Sequence, residues 1–239
     1  MVNPRGAGNS SPALSTDDLS MRRLADDLER VRQQLGHARW VFAGFSAGGY
    51  VGLLYAVKYH ASLQGLILAA TAPSGRFRYD LDCIYNPERA DWAQIQAPRD
   101  RALVADATPD DVRRWAQIVY HNPEVIARHV RAAEEREERW SDNVSNLNPN
   151  RMAAMRAELE GTGGYACYDV TQQLGQIHTS TLILGGRHDV SNPIRWSRVL
   201  HNGIPGSELV VFEDSGHMLC EEEPDKFRDA ILGFMRRIS

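Results

Sequence analysis

The chain has 239 residues, 43% of them apolar and 24% charged, with a net charge of −4. That length suits one large α/β domain or a core domain with an insertion. The charge balance excludes a nucleic acid or an anionic membrane surface as the expected partner. Lys58 and Lys226 are the only lysines, and the arginines are scattered rather than clustered. Cys83, Cys167 and Cys220 are far apart and odd in number, which fits neither a disulfide framework nor a zinc site. No run of about 18 apolar residues is present and the N-terminus lacks an apolar leader core, so the expected location is the cytoplasm.

In chain order, residues 3–12 are loop chemistry rich in Gly, Ser and Pro. A helix follows, with Ser15 or Thr16 as its cap and Asp17 and Asp18 in its first turn. Met21, Leu24, Leu28, Val31 and Leu35 recur at helical spacing and are expected to form its buried stripe, with Gly36 ending it. Trp40 to Ala43 reads as a short strand, Ala47 to His60 as a helix and Gln64 to Ala70 as a second strand. Strand, helix, strand with short links is a βαβ unit and predicts a parallel sheet.

From Thr71 to about Asp169 strand-like runs disappear. Thr108-Pro109 starts a helix to about His121, Asn122-Pro123 another to about Trp140, and a third spans Asn150 to Glu160 before a glycine-rich break. The α/β alternation then resumes. Thr181 to Leu184 and Glu208 to Phe212 are strands, each followed by a helix, Pro193 to Asn202 and Pro224 to Ile238. The expected division is an α/β core from residues 1–71 and 170–239, with a helical lid over 72–169.

Chemistry concentrates at Gly44-x-Ser46-x-Gly48. A serine between a strand and a helix, with small residues two before and two after, is the pattern of a strained turn that exposes a nucleophile. An activated serine needs a base and a group to orient that base. Of the eight histidines, His37, His60, His121, His129 and His201 sit in or beside helical patterns, and His178 precedes a strand. His217 follows the strand 208–212, and Asp189 follows the strand 181–184. In a parallel sheet the loops after strands gather on one edge, so Ser46, Asp189 and His217 are expected to meet. Asp214 shares a tight loop with His217 and reads as turn chemistry. His188 as base would leave Asp189 adjacent to it and poorly placed to orient it. No metal or phosphate motif occurs, and no cofactor is expected.

Ala43-Gly-Phe-Ser-Ala-Gly-Gly49, Leu182-Ile-Leu-Gly-Gly-Arg-His-Asp189 and Asp214-Ser-Gly-His217 with Pro224 resemble the α/β-hydrolase fold superfamily. The helical insertion is similar in size and place to the cap of its proline-iminopeptidase-like branch. The resemblance implies an α/β fold with a mostly parallel sheet and helices on both faces. It also implies an oxyanion donor at the Ala47 N–H. Residues 3–10 resemble the family's Asp-x-Arg-Gly-x-Gly-x-Ser loop, with Asn3 in place of aspartate. By the same analogy, the strands and the His-Gly loop that precede it in the family are absent. The strand at 40–43 would then have an open edge, a template for self-association.

The expected activity is a serine hydrolase acting on an ester or amide in a small molecule or short peptide, read as an iminopeptidase-like aminopeptidase. An esterase or lactonase, and a catalytically silent binding protein of the same fold, are the alternatives. Phe45, Trp115, Trp140, Glu134 and Glu138 are the candidate substrate contacts. Lid carboxylates hold a substrate α-ammonium in iminopeptidase-like enzymes. The competing reading of Glu134, Glu135, Glu137 and Glu138 is a solvated helix face with an Arg131–Glu135 pair. Trp92, Trp115 and Trp140 equally suit an apolar pocket or simple packing of the lid on the core.

Overall fold

A computed structural model describes residues 3–6, 9–102, 107–134, 149–164 and 166–239. Its centre is a parallel sheet of β1 (Trp40–Phe45), β2 (Leu63–Ala69), β3 (Thr181–Gly186) and β4 (Glu208–Phe212), in that spatial order. The register sets Phe45 beside Ala69, Ile67 beside Leu182 and Leu184 beside Val210. β2 and β3 lie in the middle and are covered on both faces, which explains why both read as nearly unbroken apolar runs. Alternate side chains of β2 enter opposite cores. Leu66 and Leu68 join one with Tyr55, Leu53 and Ile183, while Ile67 and Ala69 join the other with Leu182, Phe212 and Phe234. α1 (Met21–Gln34), α2 (Ala47–Tyr59) and α7 (Ile194–Gly203) pack the first face, and α9 (Pro224–Ile238) packs the second. Among the described residues, no helix is long and apolar enough to cross a membrane.

The start of the first helix differs from expectation. Asp17–Leu19 form a 3₁₀ turn, and the cap is Ser20, whose hydroxyl accepts the Arg23 N–H at 3.1 Å. Of the expected stripe only Met21 is fully buried, and Ala25 and Glu29 complete the buried face instead of the later leucines. Leu24, Leu28 and Val31 are only half-buried, and Leu35 is 61% exposed. The small Ala25 lets α1 approach α2 closely, and the polar Glu29 is admitted because its partners meet it there. Glu29 receives Arg32 at 2.6 Å, the Tyr55 hydroxyl at 2.5 Å and the Ser62 hydroxyl at 3.2 Å. Gly36 ends the helix in the left-handed region, φ 71°, as expected of a C′ glycine.

Arg32, and then the hydroxyls of Tyr55 and Ser62, hold the Glu29 carboxyl at about 2 despite the opposing effect of burial. A depressed carboxylate stabilises the fold above its unfolded value and loses that contribution as pH falls through the folded one. Urea unfolding of wild type and Glu29→Gln is therefore expected to differ by on the order of 2 kcal/mol at pH 7. The gap should close between about pH 4.5 and 2. A gap that persists at pH 2 would assign the effect to packing instead.

Between β2 and β3 the described chain is helical: α3 (Trp92–Ala102), α4 (Pro109–Val119), α5 (Pro123–Glu134) and α6 (Pro149–Glu160). α4 starts on a full capping box between Thr108 and Asp111, with Pro109 in its first turn. α3 carries Pro98 inside it, a residue that argues against a helix in the sequence. The two ends of this segment lie side by side. Ser74 bridges Asp169, the Tyr168 hydroxyl bonds the Ala72 carbonyl at 3.0 Å, and Val170 N–H bonds that of Pro73 at 2.8 Å. Pro193 stands just ahead of α7 as its N-cap rather than within its first turn.

Candidate active site

The elbow is built by backbone strain and close approach. Ser46 has φ 50° and ψ −116°, a conformation that L residues rarely adopt. Three bonds hold it. Ser46 N–H donates to the Ala69 carbonyl at 2.9 Å, and the Ser46 carbonyl accepts both the Gly49 N–H and the Thr71 hydroxyl at 2.9 Å. A Cβ on Gly44 would overlap the Gly48 carbonyl, and one on Gly49 would overlap the Thr71 side chain. A Cβ on Gly48 would meet nothing. The turn thus requires Gly44 and Gly49, while Gly48, the second glycine of the sequence pattern, occupies open space.

The three loops after β1, β3 and β4 converge. His217 Nε2 lies 3.1 Å from Ser46 Oγ, and His217 Nδ1 lies 2.9 Å from Asp189 Oδ2. The Asp189 side chain is fully buried. Its Oδ1 accepts the N–H groups of Ser191 at 2.7 Å and Asn192 at 2.8 Å, which fixes the carboxylate plane. Asn192 is in turn held by the Tyr50 hydroxyl at 2.8 Å, from the helix that Ser46 precedes. The Phe45 ring packs on the His217 imidazole, centroids 5.0 Å apart. Ala47 opens α2, where first-turn N–H groups have no intrahelical acceptor. His188 turns elsewhere, stacking on His121 at 3.7 Å. Cys83 is buried and its thiol is pushed up to about 12, which removes it as a competing nucleophile at neutral pH.

The acid and base loops touch through Gly186, where a Cβ would overlap the Gly216 carbonyl. Gly186→Ala is expected to cost about 3 kcal/mol of stability by forcing the two loops apart. A melting curve checks this; an unchanged midpoint would show that the loops can yield.

A family model described as alpha/beta hydrolase fold matches residues 1–224. The chain belongs to this family. Among curated relatives, a proline iminopeptidase of Saccharolobus solfataricus is 26% identical over 98% of this chain and 74% of its own length. A protein named putative carbamate hydrolase RutD of Pseudomonas syringae pv. syringae is 28% identical over 96% and 80%. Among solved structures, an alpha/beta fold family hydrolase of Bacillus anthracis str. Sterne superposes with a TM-score of 0.79 at 28% identity, over 98% of this chain and 80% of that one. A thermophilic esterase of Thermogutta terrifontis does so at 0.63 and 25%, over 98% and 78%.

In this hydrolase-fold chain a cavity of about 210 Å³ opens beside His217, walled by Val112, Trp115, Ala116 and Val119 of α4 with Tyr85, Tyr120, His129, Ser191 and Met218. Trp115 is thus in the pocket wall, as one of its two sequence readings had it. Glu134 is not: it is exposed, 3.8 Å from Arg113. Glu135, Glu137, Glu138 and Trp140 lie outside the described residues, as does the expected Arg131–Glu135 pair. A larger cavity of about 720 Å³ lies between residues 12–19 and α6, with no titratable side chain among its described lining. Thr71, Tyr50, Asn192 and Met218 were not foreseen: a hydroxyl two residues after a strand carries no local signal of such a role.

Proposed function

We propose that this chain is a serine hydrolase that cleaves an ester or amide through an acyl-enzyme, with segment 72–169 as a cap over the site. The observation that carries this is the continuous relay from a strained Ser46 through His217 to a buried, doubly anchored Asp189. His217 Nε2 takes the proton of Ser46 as Oγ attacks the carbonyl carbon, and Asp189 stabilises the imidazolium that forms. The Ala47 N–H donates to the developing oxyanion. The imidazolium then protonates the leaving group, and a water activated by the same imidazole releases the acid.

Substrate choice rests on the pocket. Its volume and its Val, Trp, Ala and Met surfaces suit a small apolar group such as a prolyl ring or a short acyl chain. The proline iminopeptidases among the relatives support the first, and an aminopeptidase of that kind is the leading assignment. One observation favours a short-chain esterase: no carboxylate is among the described lining residues to receive an α-ammonium.

A fluorophosphonate probe, followed by peptide mapping, tests the nucleophile. One label per chain on Ser46 is expected, and absence of label would favour a silent binding protein. Prolyl anilide and aryl butyrate, assayed side by side, separate the two substrate readings.

A further inference from the structure

A second buried carboxylate stands behind the site. Glu222, 6% exposed, lies on the short helix α8 (Leu219–Glu222) and forms no ion pair among the described residues. Its two oxygens bracket two different segments. Oε1 accepts the N–H of Gly216, the residue before His217, at 2.7 Å. Oε2 accepts the N–H groups of His121 at 2.6 Å and Asn122 at 2.9 Å, in the turn between α4 and α5. Three short charge-assisted bonds satisfy a carboxylate that burial would otherwise penalise. The same two segments also touch directly. His217 N–H donates to the Val119 carbonyl at 3.4 Å, and a Cβ on Gly216 would lie 2.6 Å from that oxygen.

From this we infer that Glu222 is a positioning residue that locks the backbone of the base to the end of the helix forming the pocket wall. The inference rests on the proposal that His217 is the base for Ser46. α4 contributes Val112, Trp115, Ala116 and Val119 to the pocket. Glu222 therefore makes the imidazole and the surface against which substrate lies move as one body. Neither Ser46 nor Asp189 makes a bond with it, so its action passes wholly through the Gly216–His217 backbone. The His217 imidazole is held directly by Asp189 at Nδ1 and by the Phe45 ring, and its backbone by the Val119 carbonyl and, through Gly216, by Glu222. Loss of the bracket lets the imidazole drift without altering the chemistry of any group in the relay.

The experiment compares wild type, Glu222→Ala, Glu222→Gln and Glu158→Gln by their rate of labelling with a fluorophosphonate, at a temperature well below every melting midpoint. Glu158 is a matched control. It is also buried, and its carboxylate accepts a backbone N–H, that of Met21 at 2.7 Å, which ties α6 to the start of α1 and not to the histidine loop. A displacement near 1 Å costs on the order of 10²-fold, so Glu222→Ala is expected to lower the maximal labelling rate by about that factor, with the half-saturating probe concentration little changed. Glu222→Gln keeps an oxygen for one side of the bracket and turns an NH₂ toward the donors on the other, and a loss of roughly tenfold is expected. Glu158→Gln is expected to melt earlier and to label at the wild-type rate. Equal labelling rates in wild type and both Glu222 variants, or an equal slowing in Glu158→Gln, would overturn the positioning role and leave the nucleophile reading standing. No labelling of wild type would overturn that reading and this inference together.

Discussion

Replacing Ser46 with alanine is expected to lower turnover by about 10⁶-fold while leaving the fold in place. The hydroxyl is the one atom of the relay with bonding capacity toward substrate carbon, and a methyl group cannot replace it. Its loss costs the structure little. The Ser46 side chain caps no helix N–H, and the strained backbone is held by Ala69, Gly49 and Thr71 rather than by Oγ. An alanine is tolerated at such dihedrals in this chain already, since Ala70 sits at φ 48°. The check is kcat on the best substrate of the wild-type panel beside a thermal melt. Activity within tenfold of wild type, in a preparation shown to be free of other hydrolases, would remove Ser46 from the chemistry.

Asp189→Asn is expected to cost about 10⁴-fold in kcat with little change in KM or melting midpoint. The geometry makes the sign specific. Oδ1 of Asp189 accepts two backbone N–H groups, so the asparagine oxygen must stay on that side to keep both bonds. Its NH₂ then faces His217 Nδ1, where the carboxylate oxygen now accepts. A donor there demands that Nδ1 be the unprotonated nitrogen, and the imidazole proton moves to Nε2. Nε2 then has no lone pair for the proton of Ser46. Flipping the amide would restore the imidazole at the cost of two buried N–H bonds, each worth about 1–3 kcal/mol. A loss below tenfold would mean that His217 keeps its tautomer by some other contact and that Asp189 only shapes the loop.

Much of this site was legible before any fold was at hand, because it is written in local patterns. A strand followed by a glycine-bounded serine, an acid after the third strand and a histidine after the fourth each need only a few neighbouring residues to be recognised. Parallel topology then brings the three to one edge, a consequence of strand direction alone. What was misread depends on distant parts of the chain. Of the stripe Met21, Leu24, Leu28, Val31 and Leu35, Met21 is buried and Leu24 and Leu28 pack half-buried on the core, yet α1 also turns Ala25 and Glu29 inward, because Tyr55 and Ser62 supply Glu29 with partners. A helix chooses its buried face by what it packs against, and periodicity leaves that choice open wherever two faces compete.

Backbone propensity, turn chemistry and strand order act over short range, so the α/β alternation, the glycine-bounded elbow and the candidates Ser46, Asp189 and His217 can all be read from local sequence. Tertiary structure alone decided that the elbow also requires Gly49, through the approach of Thr71 from beyond β2, whereas Gly44 is fixed within the turn by the Gly48 carbonyl. It alone put Trp115 in the pocket wall and left Glu134 outside it. It also turned Glu222 of the acidic run Glu221-Glu222-Glu223 inward to bracket the histidine loop against the turn after α4, while Glu223 bonds the same loop at Asp214 and Ser215 and Glu221 meets Arg128 and His129. Charge repeated in sequence signals a solvated face, and only the nearness of three otherwise unpaired N–H groups makes one of those carboxylates worth burying.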